Sequence, residues 1–238
     1  MKSIELLVLA GGAGTRLRSA VAEVPKPLAP VLGRPYLWYL LESWRAQGVD
    51  KMTFLLHYQA DLISAFLTTQ QDDGLLKGCE IHVVAEPAPL GTGGAVAYAV
   101  RERRLTGSFL VANADTWLGT GIASIAAAQW PAIASVHVED PGRYGQLMSV
   151  DGKVVSFEEK QSGAGPGRIN AGLYHLHAKY FSDWRGQPFS LERDLFPELV
   201  DAGELKDVAL ETDFIDIGIP EDYFRFCRWI ESGKIGAP

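Results

Sequence analysis

A strand that runs straight into a glycine-rich loop, and then into a Pro-Lys-Pro segment, leaves few folds open to this chain. Ile4 to Leu9 is a mostly apolar run of the kind that fills a strand covered on both faces. It leads into Ala10-Gly11-Gly12-Ala13-Gly14-Thr15-Arg16-Leu17 and, further on, Pro25-Lys26-Pro27-Leu28. Glycines let backbone N–H groups approach oxygens that a Cβ would hold away. Arg16 adds a planar fork for phosphate and Lys26 a point charge, with prolines on both sides restricting where that ammonium goes. The stretch reads as a cradle for a triphosphate. It is not a P-loop, because no Lys follows Gly14. Nor is it the dinucleotide fingerprint, because Leu17 stands where its third glycine belongs.

The rest of the first half alternates strand and helix. Helical spacing predicts helices over 35–47, 60–69 and 95–103, and short apolar runs predict strands over 52–57, 80–85, 108–112 and 133–138. This rhythm implies a parallel sheet with helices on both faces. Near residue 140 the rhythm breaks. Gln146 to Val150 and Lys153 to Phe157 read as a hairpin across Asp151-Gly152, and Ile169 to Tyr174 as a further strand. A helix is expected over 191–200 with Ser190 as its cap and Glu192, Arg193 and Asp194 in its first turn. A short strand over 207–210 and a closing helix over 223–230 complete the reading. Ser162 to Gly167, with three glycines and a proline, has the composition of a lid.

Four positions carry chemistry by residue type. Glu86 follows a strand and precedes Leu90-Gly91-Thr92-Gly93-Gly94; a carboxylate there can accept both N1–H and the N2 amine of guanine, whereas uracil and thymine suit an amide better. Asp115 ends the apolar strand that closes Asn113-Ala114-Asp115, a position suited either to Mg²⁺ or to capping the following helix. Asp216 sits inside the apolar run Phe214 to Ile219, where a carboxylate is costly unless paired or bound to a metal. Asn170 offers both a donor and an acceptor, and Gly145 leaves backbone bare. His57, at a strand end, reads as a structural histidine before a ligand.

The opening stretch, Leu90-Gly91-Thr92-Gly93, Glu158-Glu159-Lys160, Asn170-Ala171-Gly172 and Asp216-Ile217-Gly218-Ile219-Pro220 together resemble the sugar-1-phosphate nucleotidyltransferases, over nearly the whole chain. Arg16 to Ser19 and Leu28 to Pro35 look most like the D-glycero-α-D-manno-heptose 1-phosphate guanylyltransferases. The resemblance implies an α/β, Rossmann-like three-layer sandwich with a mixed, mostly parallel central sheet. It implies one nucleotidyltransferase domain over 1–238, with 1–138 mainly holding nucleotide and 139–238 mainly the sugar phosphate, and no C-terminal β-helix. GTP would lie against Leu9, Ala10, Gly11, Gly12, Gly14, Thr15, Arg16, Lys26, Glu86, Leu90, Gly91, Thr92, Asn113 and Asp115. The sugar phosphate would meet Gly145, Glu159, Lys160, Asn170 and Asp216. Asp115 and Asp216 would hold Mg²⁺, and Arg16, Lys26, Asp115, Lys160 and Asp216 would carry the reaction. The same chemistry on mannose 1-phosphate or another base is the alternative within the resemblance. A catalytically silent subunit that senses nucleotide sugar is the alternative outside it.

Whole-chain numbers bound the partners. A formal net charge of −7 argues against nucleic acid. No apolar run is long enough to span a bilayer, and Lys2 leads into a strand with no signal-peptide pattern. Cys79 and Cys227 read as thiols of a reducing cytoplasm. Trp130, Trp184 and Trp229 are candidates for a homodimer interface or for core and rim positions alike.

Overall fold

The computed structural model describes residues 4–235 apart from 18, 22–23, 73 and 160–164, and the backbone but not the side chain of Glu159. Strand β1 (Leu6–Leu9) sends Leu6 and Val8 to one face and Leu7 to the other, and all three are fully buried. Glu5, the charged residue next to this run, is satisfied by Thr53 Oγ1 at 2.5 Å and Lys51 at 3.3 Å. A small hairpin, β2 (Pro30–Val31) and β3 (Arg34–Pro35), turns on Leu32 and Gly33, both at positive φ, and feeds helix α1 (Tyr36–Ala46). Then come β4 (Lys51–Leu56), α2 (Ala60–Asp72), β5 (Glu80–Ala85), α3 (Gly91–Arg103), β6 (Ser108–Asn113), β7 (Thr116–Leu118), α4 (Ile122–Ala127) and β8 (Ala132–Val138). The second half contributes β9 (Gly145–Val150), β10 (Lys153–Glu159), β11 (Gly167–His177), α5 (Phe196–Asp201), β12 (Lys206–Leu210), β13 (Phe214–Asp216) and α6 (Pro220–Glu231).

Nine strands form one sheet in the order β5-β4-β1-β6-β11-β8-β12-β10-β9. β4, β5 and β6 run parallel with β1, and β12 with β8. β11 is antiparallel to both β6 and β8, and β10 to both β12 and β9. Two strands of the nine thus oppose the rest, and the sheet is mixed but mostly parallel. One face is covered by α1, α2, α4 and α6 through Leu37, Leu41, Ile63, Ile125 and Phe226; the other by α3 and α5 through Val96, Val100, Phe196 and Leu199. The β9–β10 hairpin turns on Asp151 (φ 49°) and Gly152 (φ 71°), the left-handed pair that matches strand twist.

Three elements depart from the sequence reading. α3 begins at Gly91, not Ala95, because the N–H groups of Gly93 and Gly94 are capped by the Phe189 carbonyl at 3.0 and 3.2 Å. The expected helix over 191–200 divides into a wide π-turn, Leu191–Leu195, and α5. Pro197 has no N–H to continue the ladder, and the Phe196 N–H reaches back to the Leu191 carbonyl. The third is a two-stranded sheet of β7 and β13, with Asp216 opposite Thr116. The apolar run around Asp216 is therefore a three-residue strand ending at the aspartate, not a strand through it.

Candidate active site

The ends of β1, β4, β5 and β6 open on a cavity of about 570 Å³ lined by Leu9, Ala10, Gly11, Gly12, Gly14, Thr15, Arg16, Lys26, Glu86, Leu90, Gly91, Thr92, Asn113 and Asp115. Every residue of the predicted nucleotide set is on that wall. A second cavity of about 270 Å³ abuts it, lined by Gly145, Asn170 and Asp216 together with Arg143, Tyr144, Phe157 and Glu192. Arg16, Thr92, Asn113 and Gly218 face both cavities. Gly218 apart, the first cavity draws on residues before 138. The second borrows Arg16, Thr92, Asn113 and Thr116 from that half.

The junction is built by the β7–β13 pair. Opposing Thr116 and Asp216, with the Ile217 N–H on the Asp115 carbonyl at 2.9 Å, draws two distant carboxylates to one place. Lys26 stands between them, its Nζ 2.6 Å from Asp115 Oδ2 and 3.5 Å from Asp216 Oδ1. Thr116 Oγ1 donates to Asp115 Oδ1 at 3.2 Å, and the Gly218 N–H to Asp216 Oδ1 at 2.6 Å. Glycine is required at 218: a Cβ would stand 2.8 Å from Asp216 Oδ1 and 3.2 Å from Lys26 Nζ.

The electrostatics show which effect wins. Burial would lower the Lys26 ammonium's pKa, but Asp115 and Asp216 outweigh it and raise it. Burial pushes the Asp115 carboxyl up, and the charge and hydrogen bond of Lys26 reverse that and hold it low. Asp216 is pushed up by burial and by the Asp115 charge, against the pull of Lys26. One ammonium leaves this carboxylate pair a positive charge short. Hard oxygen donors in that state fit a hard divalent cation. Among the described residues no cluster of three or more His, Cys, Asp or Glu side chains gathers, so such a cation would complete its shell with phosphate oxygens and water.

Along the wall of the first cavity, Glu86 is half-buried, and burial raises its carboxyl pKa. Its Oε2 accepts the Leu90 N–H at 3.0 Å, so it shapes its own loop as well as facing the cavity. His57 belongs here too: it lines the cavity, with Nδ1 3.3 Å from the Glu86 carbonyl. The backbone carbonyl partner fits the reading of His57 as a structural histidine, and strand-end position alone does not say that its ring also reaches the cavity wall.

In the second cavity Asn170 differs from expectation. Its Nδ2 donates to Tyr174 Oη at 2.9 Å and its Oδ1 accepts the Gly172 N–H at 2.9 Å, so one donor and one acceptor are already used within the wall. Tyr174 Oη lies 3.5 Å from Glu192 Oε1, and Thr92 Oγ1 donates to Glu192 Oε2 at 2.6 Å. Glu192, read from sequence as a first-turn helix charge, holds that place in the π-turn behind the Ser190 cap and also lines the cavity. Burial, ahead of the nearby Arg143 charge, pushes the Tyr144 hydroxyl up to about 12. Lys160, the side chain of Glu159 and the first half of the expected lid, 162–164, lie outside the described residues. Trp130 stacks on His177, Trp184 packs against Tyr98 and Trp229 against Trp117. No helix among the described residues is long and apolar enough to cross a membrane.

Comparison with known proteins agrees with this geometry. A crystal structure of HddC from Yersinia pseudotuberculosis complexed with GMP-PN superposes with a TM-score of 0.81 at 35% identity, over 94% of this chain and 98% of that one. D-glycero-alpha-D-manno-heptose 1-phosphate guanylyltransferase of Campylobacter jejuni is 32% identical over 227 residues, 94% of this chain and 98% of the relative. Probable mannose-1-phosphate guanylyltransferase 2 of Arabidopsis thaliana is 30% identical over 235 residues, and this chain spans 64% of that relative's length. With residues 5–232 matched by the model of the nucleotidyl transferase family, the chain belongs to that family.

Proposed function

We propose that the protein is a sugar-1-phosphate guanylyltransferase that makes GDP-D-glycero-α-D-manno-heptose and pyrophosphate from GTP and the heptose 1-phosphate. The observation that carries the reading is the pair of abutting cavities with Lys26, Asp115 and Asp216 at their junction. An oxygen of the sugar phosphate attacks the α-phosphorus of GTP, the bond to the β-phosphate oxygen breaks, and pyrophosphate carries away the electron pair. The nucleophile is already an anion, so no general base is required. The difficulty is bringing two anions together and stabilising the leaving group. Arg16, facing both cavities, holds the triphosphate and the departing pyrophosphate, and Lys26 neutralises charge at the α-phosphate. Asp115 and Asp216 would hold Mg²⁺, which when bound supplies further positive charge for the phosphates. Lys160 is assigned to the attacking phosphate by family resemblance. The halves 1–138 and 139–238 serve mainly nucleotide and sugar phosphate, respectively.

Guanine is supported by Glu86 at the first cavity and by the guanylyltransferase names of the relatives. Heptose is supported by the resemblance carried by Arg16 to Ser19 and Leu28 to Pro35 and by the name of the Campylobacter relative. Mannose 1-phosphate is the second reading, favoured by the similar identity of the Arabidopsis relative. A GDP-heptose product would serve bacterial surface polysaccharide assembly, from a cytoplasmic enzyme. The test is pyrophosphate release from each of the four nucleoside triphosphates with a panel of sugar 1-phosphates. GTP with the heptose 1-phosphate is expected to be fastest. A preference for UTP or dTTP would defeat the Glu86 argument, and a preference for mannose 1-phosphate would replace the sugar.

A further inference from the structure

The loop from Asp140 to Gly145 forms one wall of the smaller cavity, and nothing in the proposed chemistry explains how it is held. Three side-chain contacts pin it. Tyr144 packs edge-on against Phe214, with ring centroids 5.4 Å apart. Gly145 lies so close to Phe157 that a Cβ would sit 3.0 Å from its Cζ. Arg143 Nη2 donates to Asp222 Oδ2 in a short ion pair, and to the Tyr144 hydroxyl at 2.8 Å.

Asp222 is the unusual member. It is 5% exposed, and its other oxygen is held by Arg225 at 2.9 Å. A buried carboxylate between two guanidinium groups is expensive to assemble and costly to break by removing one partner. Its place in the fold is specific. Asp222 lies in the first turn of α6, just beyond Asp216 and Gly218 at the cavity junction. The next residue, Tyr223, donates its hydroxyl to the Pro30 carbonyl of β2, which lines neither cavity. Consecutive residues of α6 thus tie it separately to the loop beside the smaller cavity and to the β2 hairpin. Asp222 itself lines neither cavity; Arg143 lines the smaller.

We propose that Asp222 is a positioning residue which, through Arg143, holds the Asp140–Gly145 wall against the Asp216 segment and so sets affinity for the sugar 1-phosphate without affecting that for the nucleotide. This rests on the guanylyltransferase reading. Arg143 meets Asp222 and the Tyr144 hydroxyl from one nitrogen, Nη2, so the two contacts are made or lost together. A simple helix-capping role for Asp222 would instead weaken α6 as a whole and disturb both cavities.

Steady-state kinetics with GTP and, in turn, mannose 1-phosphate and D-glycero-α-D-manno-heptose 1-phosphate test this. Asp222→Asn and Arg143→Ala are each expected to raise KM for the sugar 1-phosphate about ten-fold and to leave KM for GTP within about two-fold. The double variant is expected to be no worse than either single one, because both remove the same tie. Arg143→Lys recovers part of the loss. Tyr223→Phe, which cuts the tie to Pro30, leaves KM for the sugar unchanged. Additive single effects, parallel rises in both KM values, or an equal sugar effect from Tyr223→Phe would overturn the inference. Should Asp222→Asn fail to fold, Arg143→Ala, whose side chain is 40% exposed, carries the same comparison. An unsubstituted protein that releases no pyrophosphate from any pair would instead remove the functional reading, a result distinct from a KM change in an active enzyme.

Discussion

The two cavities are built in opposite ways. The larger sits at the carboxyl ends of parallel strands, and the Gly11 to Gly14 loop and the start of α3 leave bare backbone along its wall. The smaller is lined by Phe157 of β10, Asn170 of β11 and Glu192 of the π-turn, and Asn170 and Glu192 are joined through the Tyr174 hydroxyl. Backbone donors suit phosphates, which every nucleotide carries in the same form. Side-chain networks suit a sugar, whose hydroxyls differ in orientation from one substrate to the next. One wall can be kept from relative to relative while the other changes, and Lys26, Asp115 and Asp216 stand where they meet.

The largest expected effect is at that meeting point. Lys26→Ala or Asp216→Ala is expected to lower kcat by at least ~10² while the cooperative melt is retained, because charge stabilisation is lost where both anions converge. A change confined to one substrate's KM, with kcat intact, would place the residue in one cavity instead. Near-normal turnover in either variant would remove it from the chemistry.

The contrast also explains what could be read from the sequence. The larger cavity was legible because its function is local: Leu9 to Leu28 and Leu90 to Gly94 are contiguous segments whose glycines and cations announce themselves. The parallel part of the sheet followed from strand–helix rhythm and its mixed character from the family resemblance, and the break in that rhythm marked where β9 and β10 begin. Asp115 and Asp216 were each legible as carboxylates at the edge of apolar runs. Their meeting came from the family resemblance and not from periodicity, since it depends on β7 and β13, three-residue strands too short to leave a periodic signal. The start of α3 was hidden because its cap, the Phe189 carbonyl, comes from far along the chain. Glu192 was legible as a first-turn charge behind the Ser190 cap, but its place on the cavity wall was not, because local spacing does not show what a helix turn faces.

Of intermediate size is the effect that would sharpen the nucleotide side. Glu86 shares its carboxylate between the Leu90 N–H and the cavity. Glu86→Gln keeps an acceptor for the loop but replaces one acceptor facing the base with a donor. The preference for GTP over UTP is expected to narrow about ten-fold, through KM for the nucleotide, with KM for the sugar 1-phosphate unmoved. An unchanged preference would mean that the base is selected by other groups at that end, His57 first among them.

The smallest effect probes the sugar wall alone. Gly145 has an ordinary backbone conformation, so Gly145→Ala introduces no left-handed strain; its cost comes from the new Cβ at 3.0 Å from Phe157 Cζ. Phe157 already meets Phe196 edge-on, with centroids 5.7 Å apart, and can yield only by a small tilt against that ring. Overpacking of this kind costs about 1 kcal/mol, read as a drop in melting temperature of a few degrees. The methyl also narrows the wall beside the sugar, and KM for the sugar 1-phosphate is expected to rise about three-fold while KM for GTP and kcat stay level. A stability loss without that KM change would mean the sugar does not lie against Gly145. A matching rise in KM for GTP would mean that the two walls are mechanically one, and the division between a backbone-built and a side-chain-built cavity would then describe composition only.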